Sequence, residues 1–340
     1  MKKSILAAAI AAAGAVASAA SAQDKPVEWK LSHYLPPTHP LSQAFLPWTE
    51  SLSKATGGTL KVTVYPSEQL GKAFDGYNTA RDGIAEVSLM SPGYTPGRFP
   101  IGNATALPFL ISNGDTGTRA VDEWYRKYAA TEMKDVKYCI GFVHDPGALH
   151  LAKKKVVLPA DMKGLKIRPA GGTVGAFMVQ LGATTVNASP PEARQVLERG
   201  VADGITFPWN SIIIFRIDQV VKFHMNVPFY TSHQMFVINK AAYDKLADGQ
   251  KKAVDEHCSP DWAVKVVSPW NKWEAEGRAK MKGLDGHEVY DLTPAQIAEW
   301  RKAADTMHQT WADTVKKAGG DPKAAMDELQ ATLKKHNAAY

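Results

Sequence analysis

Cysteine is scarce, two residues in 340, which excludes a disulfide-stapled scaffold and a multi-cysteine zinc array. Catalytic signatures are missing too: there is no HExxH, CxxC, GxSxG or phosphate-loop pattern, so the recurring hydrolase, redox and nucleotide constellations find no footing. Gly171-Gly172-x-x-Gly175 lacks the spacing of a dinucleotide fingerprint and reads as a turn. The ten histidines are scattered, and His33 and His39 flank Pro36-Pro37 with no carboxylate cluster beside them, so neither a metal nor another cofactor is expected. Internal repeats are absent. The net charge of +6 is small and dispersed, which argues against nucleic acid and is compatible with an anionic small ligand. Lys153-Lys154-Lys155 reads as a solvated face.

What remains is an ordinary globular composition, 45% hydrophobic and 22% charged, with length enough for two lobes. Lys2 and Lys3, an apolar run from Ile5 to Val16, and Ala20-Ser21-Ala22 before Gln23 have the layout of an export signal over residues 1–22. The run is shorter than the ~20 residues of a membrane helix. A soluble periplasmic protein is therefore expected. In that oxidising compartment Cys139 and Cys258 are able to pair, although Cys139, inside Tyr138-Cys139-Ile140-Gly141-Phe142, also reads as a small buried hydrophobe. Both readings stay open.

Short strand patterns alternate with helical ones: Trp29 to Tyr34, then Leu41, Phe45, Trp48 and Leu52 at helical spacing, then Leu60 to Tyr65. This is the βαβ signature of a sheet flanked by helices. Ser189-Pro190-Pro191-Glu192 is a capping box. Trp262 to Lys282 reads as a long helix interrupted by Pro269. The expected fold is α/β, two-lobed, each lobe a sheet flanked by helices, with a long helix linking them. Lobe one takes residues 23–147 plus about 235–280, and lobe two 148–234 plus about 281–340.

Tyr65-Pro66-Ser67-Glu68-Gln69-Leu70-Gly71 resembles the P-S-x-Q-L-G motif of the solute-binding proteins of tripartite ATP-independent periplasmic (TRAP) transporters. Ala106-Leu107-Pro108-Phe109, Asp161-Met162-Lys163-Gly164-Leu165-Lys166-Ile167-Arg168 and Val201-Ala202-Asp203-Gly204 follow in the family's order. The resemblance implies a periplasmic binding protein fold, a carboxylate held by Arg168, delivery to a TRAP membrane permease, and a monomer. The residue chemistry points the same way. Arg168 ends a predicted strand, where open α/β sheets place ligands, and its planar fork matches a carboxylate and stays charged when desolvated.

By the same resemblance Tyr34, Ser91 and Tyr94 face the ligand, and His150 falls near a ligand-contacting position. Sialic-acid-binding members carry an asparagine where this chain has Phe207. That ring is suited to an apolar or aromatic ligand body and not to a polyhydroxylated sugar. Trp209 and Asn210 follow it, with Phe215 and Pro228-Phe229-Tyr230 adding apolar surface, and His233 and Gln234 stand at the expected crossover. The reading is a receptor for a hydrophobic or aromatic monocarboxylate or keto acid. A C4-type dicarboxylate receptor is the alternative and requires a second cationic or donor-rich site. A module feeding a sensor shares the same pocket, and an exported enzyme with Tyr94 or His150 as acid or base lacks a catalytic set.

Overall fold

The computed structural model describes residues 24–340; the expected export signal at residues 1–22 lies outside them. The strands are β1 (Val27–Ser32), β2 (Leu60–Tyr65), β3 (Val87–Met90), β4 (Val136–Val143), β5 (Gly147–Leu151), β6 (Lys166–Arg168), β7 (Thr184–Thr185), β8 (Gly204–Phe207), β9 (Phe223–Tyr230), β10 (His233–Asn239) and β11 (Glu288–Tyr290). They form two sheets, β2-β1-β3-β10-β4 and β11-β9-β5-β8-β6-β7. Both are mixed: β1 pairs parallel with β2 and β3, while β10 runs antiparallel to β3 and β4. In the second sheet β6 is parallel to β7 and β8, and β5 is antiparallel to β8 and β9. The chain therefore passes between sheets at 144–146, from β4 to β5, and again at 231–232, from β9 to β10. The two crossovers lie at the ends of strands from both sheets.

Helices cover both sheets because their apolar faces demand it. Pro40–Ala55 buries Leu41, Phe45, Trp48 and Leu52, and Gly114–Glu132 buries Val121, Trp124 and Tyr125. Ser189 and Glu192 make the expected capping box, the Ser189 N–H donating to Glu192 Oε2 at 3.0 Å. The long linker differs from expectation. Pro260–Lys282 is one continuous helix with Pro269 inside it. A proline removes one backbone hydrogen bond, and burial of Val266, Val267 and Trp270 around it holds the helix together. Its first half lies on helices Pro40–Ala55 and Gly114–Glu132. Its second half reaches the other lobe at Gly277, where a side chain would meet the Asn210 backbone nitrogen at 2.3 Å. Of the stretch 281–340, β11 joins the second sheet, whereas helix Pro322–Lys335 packs against Gly114–Glu132.

Cys139 and Cys258 are joined as a disulfide, which resolves the two readings left open above. The bond ties β4 to the segment between helix Asp248–His257 and the long helix. It closes a 119-residue separation, and cross-links over long loops restrict the unfolded chain. Replacing both cysteines with alanine should lower unfolding stability by about 2–4 kcal/mol, read as an earlier urea midpoint. An unchanged midpoint would contradict this.

Candidate functional site

Arg168 and Lys166 share one face of β6, yet Lys166 is exposed and Arg168 is 1% exposed. The difference lies in position along the strand, since the carboxyl end of β6 runs under the other lobe. There Gly93, from the loop after β3, meets Gly171, just beyond β6; a Cβ on Gly171 would stand 3.2 Å from the Gly93 Cα. A side chain at Gly171 would press on the Gly93 backbone and force it to give way. Arg168 pairs in register with Ile205 on β8, so Phe207 stands two residues further along the same face. The Arg168 guanidinium lies 5.5 Å from the Phe207 ring centroid.

Arg168 Nε donates to the Ala188 carbonyl at 2.9 Å, but its Nη2 is buried with no hydrogen-bond partner. No salt bridge to it exists among the described residues. The Tyr230 hydroxyl is likewise buried and unpartnered. Both groups line one cavity. Tyr34, Tyr94, Phe207, Phe215, Gln234 and Trp270 also face it. Burial pushes the Tyr34 and Tyr230 hydroxyls well above the usual phenol range, so both keep their protons. Tyr34 donates to Gln234 Oε1 at 3.2 Å, leaving the Gln234 amide nitrogen as a donor. The result is an unpaired cation, neutral donors and aromatic walls, which suits one carboxylate on an apolar body.

Of the residues singled out from sequence, Arg168, Phe207, Tyr34, Tyr94 and Gln234 share this cavity. Ser91 and His233 line a smaller neighbouring one. Alternation along β10 explains the split: Gln234 and Phe236 point to one side, His233 and Met235 to the other, where His233 meets the Tyr125 ring edge at 5.1 Å. His150, Trp209 and Asn210 line neither cavity. Asn210 is held to the long helix, its Nδ2 donating to the Trp273 carbonyl at 2.5 Å, and Trp209 packs on His150 at 5.1 Å.

The His150 ring belongs to a buried relay. Lys222 Nζ donates to His287 Nε2 (3.1 Å), His287 Nδ1 to His224 Nε2 (2.9 Å), His224 Nδ1 to His150 Nδ1 (2.8 Å) and His150 Nε2 to the Phe207 carbonyl (3.0 Å). Every N–H points the same way, so each ring is neutral. His150 thus steadies the strand that carries Phe207 and does not reach the cavity.

Several cavity residues had no such role in the sequence reading. Tyr230 was read as apolar surface and supplies a hydroxyl. His39, His144, Ser211 and Trp270 come from four separate segments. Position at the crossovers was the available signal for Tyr230 and His144; nothing local marks Ser211 or Trp270. Burial holds His39 and His144 down to about 3 and about 4, so neither takes a proton from a substrate near neutrality.

A family model described as bacterial extracellular solute-binding protein, family 7, matches residues 31–314. A TRAP solute-binding protein of Rhodoferax ferrireducens, solved with copurified benzoate, is 27% identical with a TM-score of 0.85, over 92% of this chain and 98% of that one. A TRAP periplasmic solute-binding protein of Bordetella bronchiseptica, solved with (R)- and (S)-mandelate, is 29% identical with a TM-score of 0.85, over 91% and 99%. The C4-dicarboxylate-binding periplasmic protein of Rhodobacter capsulatus is 25% identical over 305 residues, 86% of this chain and 88% of that protein.

Proposed function

The chain belongs to family 7 of the bacterial extracellular solute-binding proteins, and from that premise we propose that it captures an aromatic monocarboxylate between its lobes. The carrying observation is Arg168, buried at 1% exposure with Nη2 unpartnered at the head of a cavity walled by Phe207, Phe215 and Trp270. A guanidinium left without a counter-ion out of water is costly, and a bound carboxylate removes that cost. The rings bury the rest of the ligand. Hinge motion at the two crossovers admits and encloses it, and the closed monomer is what a TRAP permease outside the cytoplasm recognises. The benzoate and mandelate of the two solved relatives support this reading. No helix among the described residues is long and apolar enough to cross a membrane.

A C4-dicarboxylate, as the name of the Rhodobacter relative suggests, needs a second cationic or donor-rich site. Arg168 is the only lysine or arginine lining the cavity among the described residues. A thermal-shift screen decides between the two. A ligand at 100 times its Kd adds about 2.7 kcal/mol, or roughly 4 °C for a chain of this size. Benzoate and mandelate should produce that shift. If succinate shifts the protein and aromatic acids do not, the aromatic reading is wrong.

A further inference from the structure

The cavity has a further polar pair, apart from Arg168, the Tyr34 and Tyr230 hydroxyls and Gln234. His39 caps helix Pro40–Ala55, its Nδ1 accepting from the Leu41 N–H at 3.1 Å. That bond places the ring proton on Nε2. The Nε2–H faces Ser211 Oγ at 3.4 Å, long against the ~2.9–3.0 Å of a good N–H···O bond. Water offers no alternative, since His39 is 1% exposed and ringed by Trp270 at 5.5 Å, Trp273 at 5.6 Å and Phe215 at 6.3 Å.

Ser211 is equally constrained. Its hydroxyl donates to Glu274 Oε1, a carboxylate that also accepts from Trp270 Nε1 at 2.8 Å, the Asn210 N–H at 2.5 Å and the Ser211 N–H at 3.2 Å. With donors converging on Glu274, Ser211 Oγ can only accept from the cavity side. A donor and an acceptor thus face one another across an overlong gap. The contacts run from Arg168 to Phe207 (5.5 Å), Phe207 to Phe215 (5.6 Å) and Phe215 to His39 (6.3 Å), so the aromatic wall links this pair to the cation.

We propose that His39 and Ser211 form a hydroxyl-binding subsite, and that the preferred ligand is an aromatic carboxylate with a hydroxyl on its ring. A ligand hydroxyl accepts from His39 Nε2–H and donates to Ser211 Oγ. A carbonyl only accepts and leaves the serine lone pairs unused, and an ammonium meets the imidazole N–H donor to donor. The proposal rests on the aromatic-acid reading of the same cavity.

Calorimetry at pH 8 on the whole exported chain tests it with benzoate, 3-hydroxybenzoate and 4-hydroxybenzoate. One hydroxybenzoate should bind about tenfold tighter than benzoate. Ser211→Ala should reduce that ratio to about twofold or less. So should His39→Asn, which keeps a capping oxygen for the helix. If one variant fails to fold, the other decides. A wild-type ratio near one, or a ratio that survives in the folded variants because both acids weaken alike, overturns the proposal while the aromatic reading stands. If benzoate and both hydroxybenzoates all fail to bind the wild type, that reading falls as well.

Discussion

Arg168→Met should abolish tight binding of any carboxylate and leave the unliganded protein at least as stable as before. Truncating one partner of a buried charge pair costs about 2–5 kcal/mol, a loss of roughly thirtyfold to several thousandfold in Kd. The stability half of the expectation has a separate origin. Where the lobes are closed the guanidinium is desolvated, Nη2 has no protein partner, and a buried charge without compensation is a net cost that an apolar side chain of similar length removes. The loss of the Nε bond to the Ala188 carbonyl offsets about 1 kcal/mol of that gain. Arg168→Lys should fall between the two, because an ammonium is a point charge that cannot present the planar fork. Calorimetry with benzoate and thermal unfolding without ligand measure both halves. Unchanged affinity in Arg168→Met would remove the residue from the site, and a collapse of the empty fold would show it to be structural.

Acid should destabilise the protein steeply from pH 6.5 downward. His33, His144 and His150 are held to about 4, His39 and His233 to about 3, and His224 to about 2, in every case chiefly by burial. These values lie below the ordinary 6.5, so the unfolded chain binds more protons than the native one between 6.5 and about 4, and stability must rise with pH through that window. Near pH 5.5 unfolding takes up close to one proton per histidine, each adding about 1.4 kcal/mol per pH unit to the slope. In the relay from Lys222 to Phe207 a second proton on any ring sets two donors against each other.

Glu274 acts in the opposite sense. Burial raises it to about 7 despite donors from Ser211 and Trp270, so its contribution to stability falls as pH rises from its ordinary 4.5 through 7. Burial also raises Asp122, Glu132 and Asp145, but at pH 6.5 six imidazoles still take up about half a proton each on unfolding, so stability keeps rising through that pH and levels off above about 7.5. Urea midpoints between pH 4.5 and 8 measure the profile, and a flat one from 6.5 to 5 would show that the imidazoles are not buried neutral.

Much of the site was legible where the chemistry was local. Arg168 stood out because a strand ending in Lys-Ile-Arg at a sheet's carboxyl edge is a readable position, and Phe207 because a ring replaced an amide in a recognisable motif. Tyr34 was marked by the resemblance at a strand end, and Gln234 by its place at the expected crossover. His150 was misplaced for a reason of register. It shares the cleft-facing side of its sheet, but Ala148, not His150, pairs with Phe207, which sets the imidazole two residues deeper. His233 lay on the wrong side of β10 for the same period-two reason. Asn210 and Trp209 were near the cavity in sequence, but Asn210 is held to the long helix and Trp209 packs on His150.

The amino-acid sequence alone determined the α/β alternation, the capping boxes, the apolar helix faces and the cation that a carboxylate needs, because each depends on residues within a few positions of one another. Tertiary structure decided the rest. It joined Cys139 to Cys258, carried the long helix through Pro269, and brought Tyr230, His39, Ser211 and Trp270 around a single cavity. Those four come from separate segments on both sides of the hinge, and their meeting depends on how two lobes pack, a contact between distant positions that no local pattern of side chains encodes.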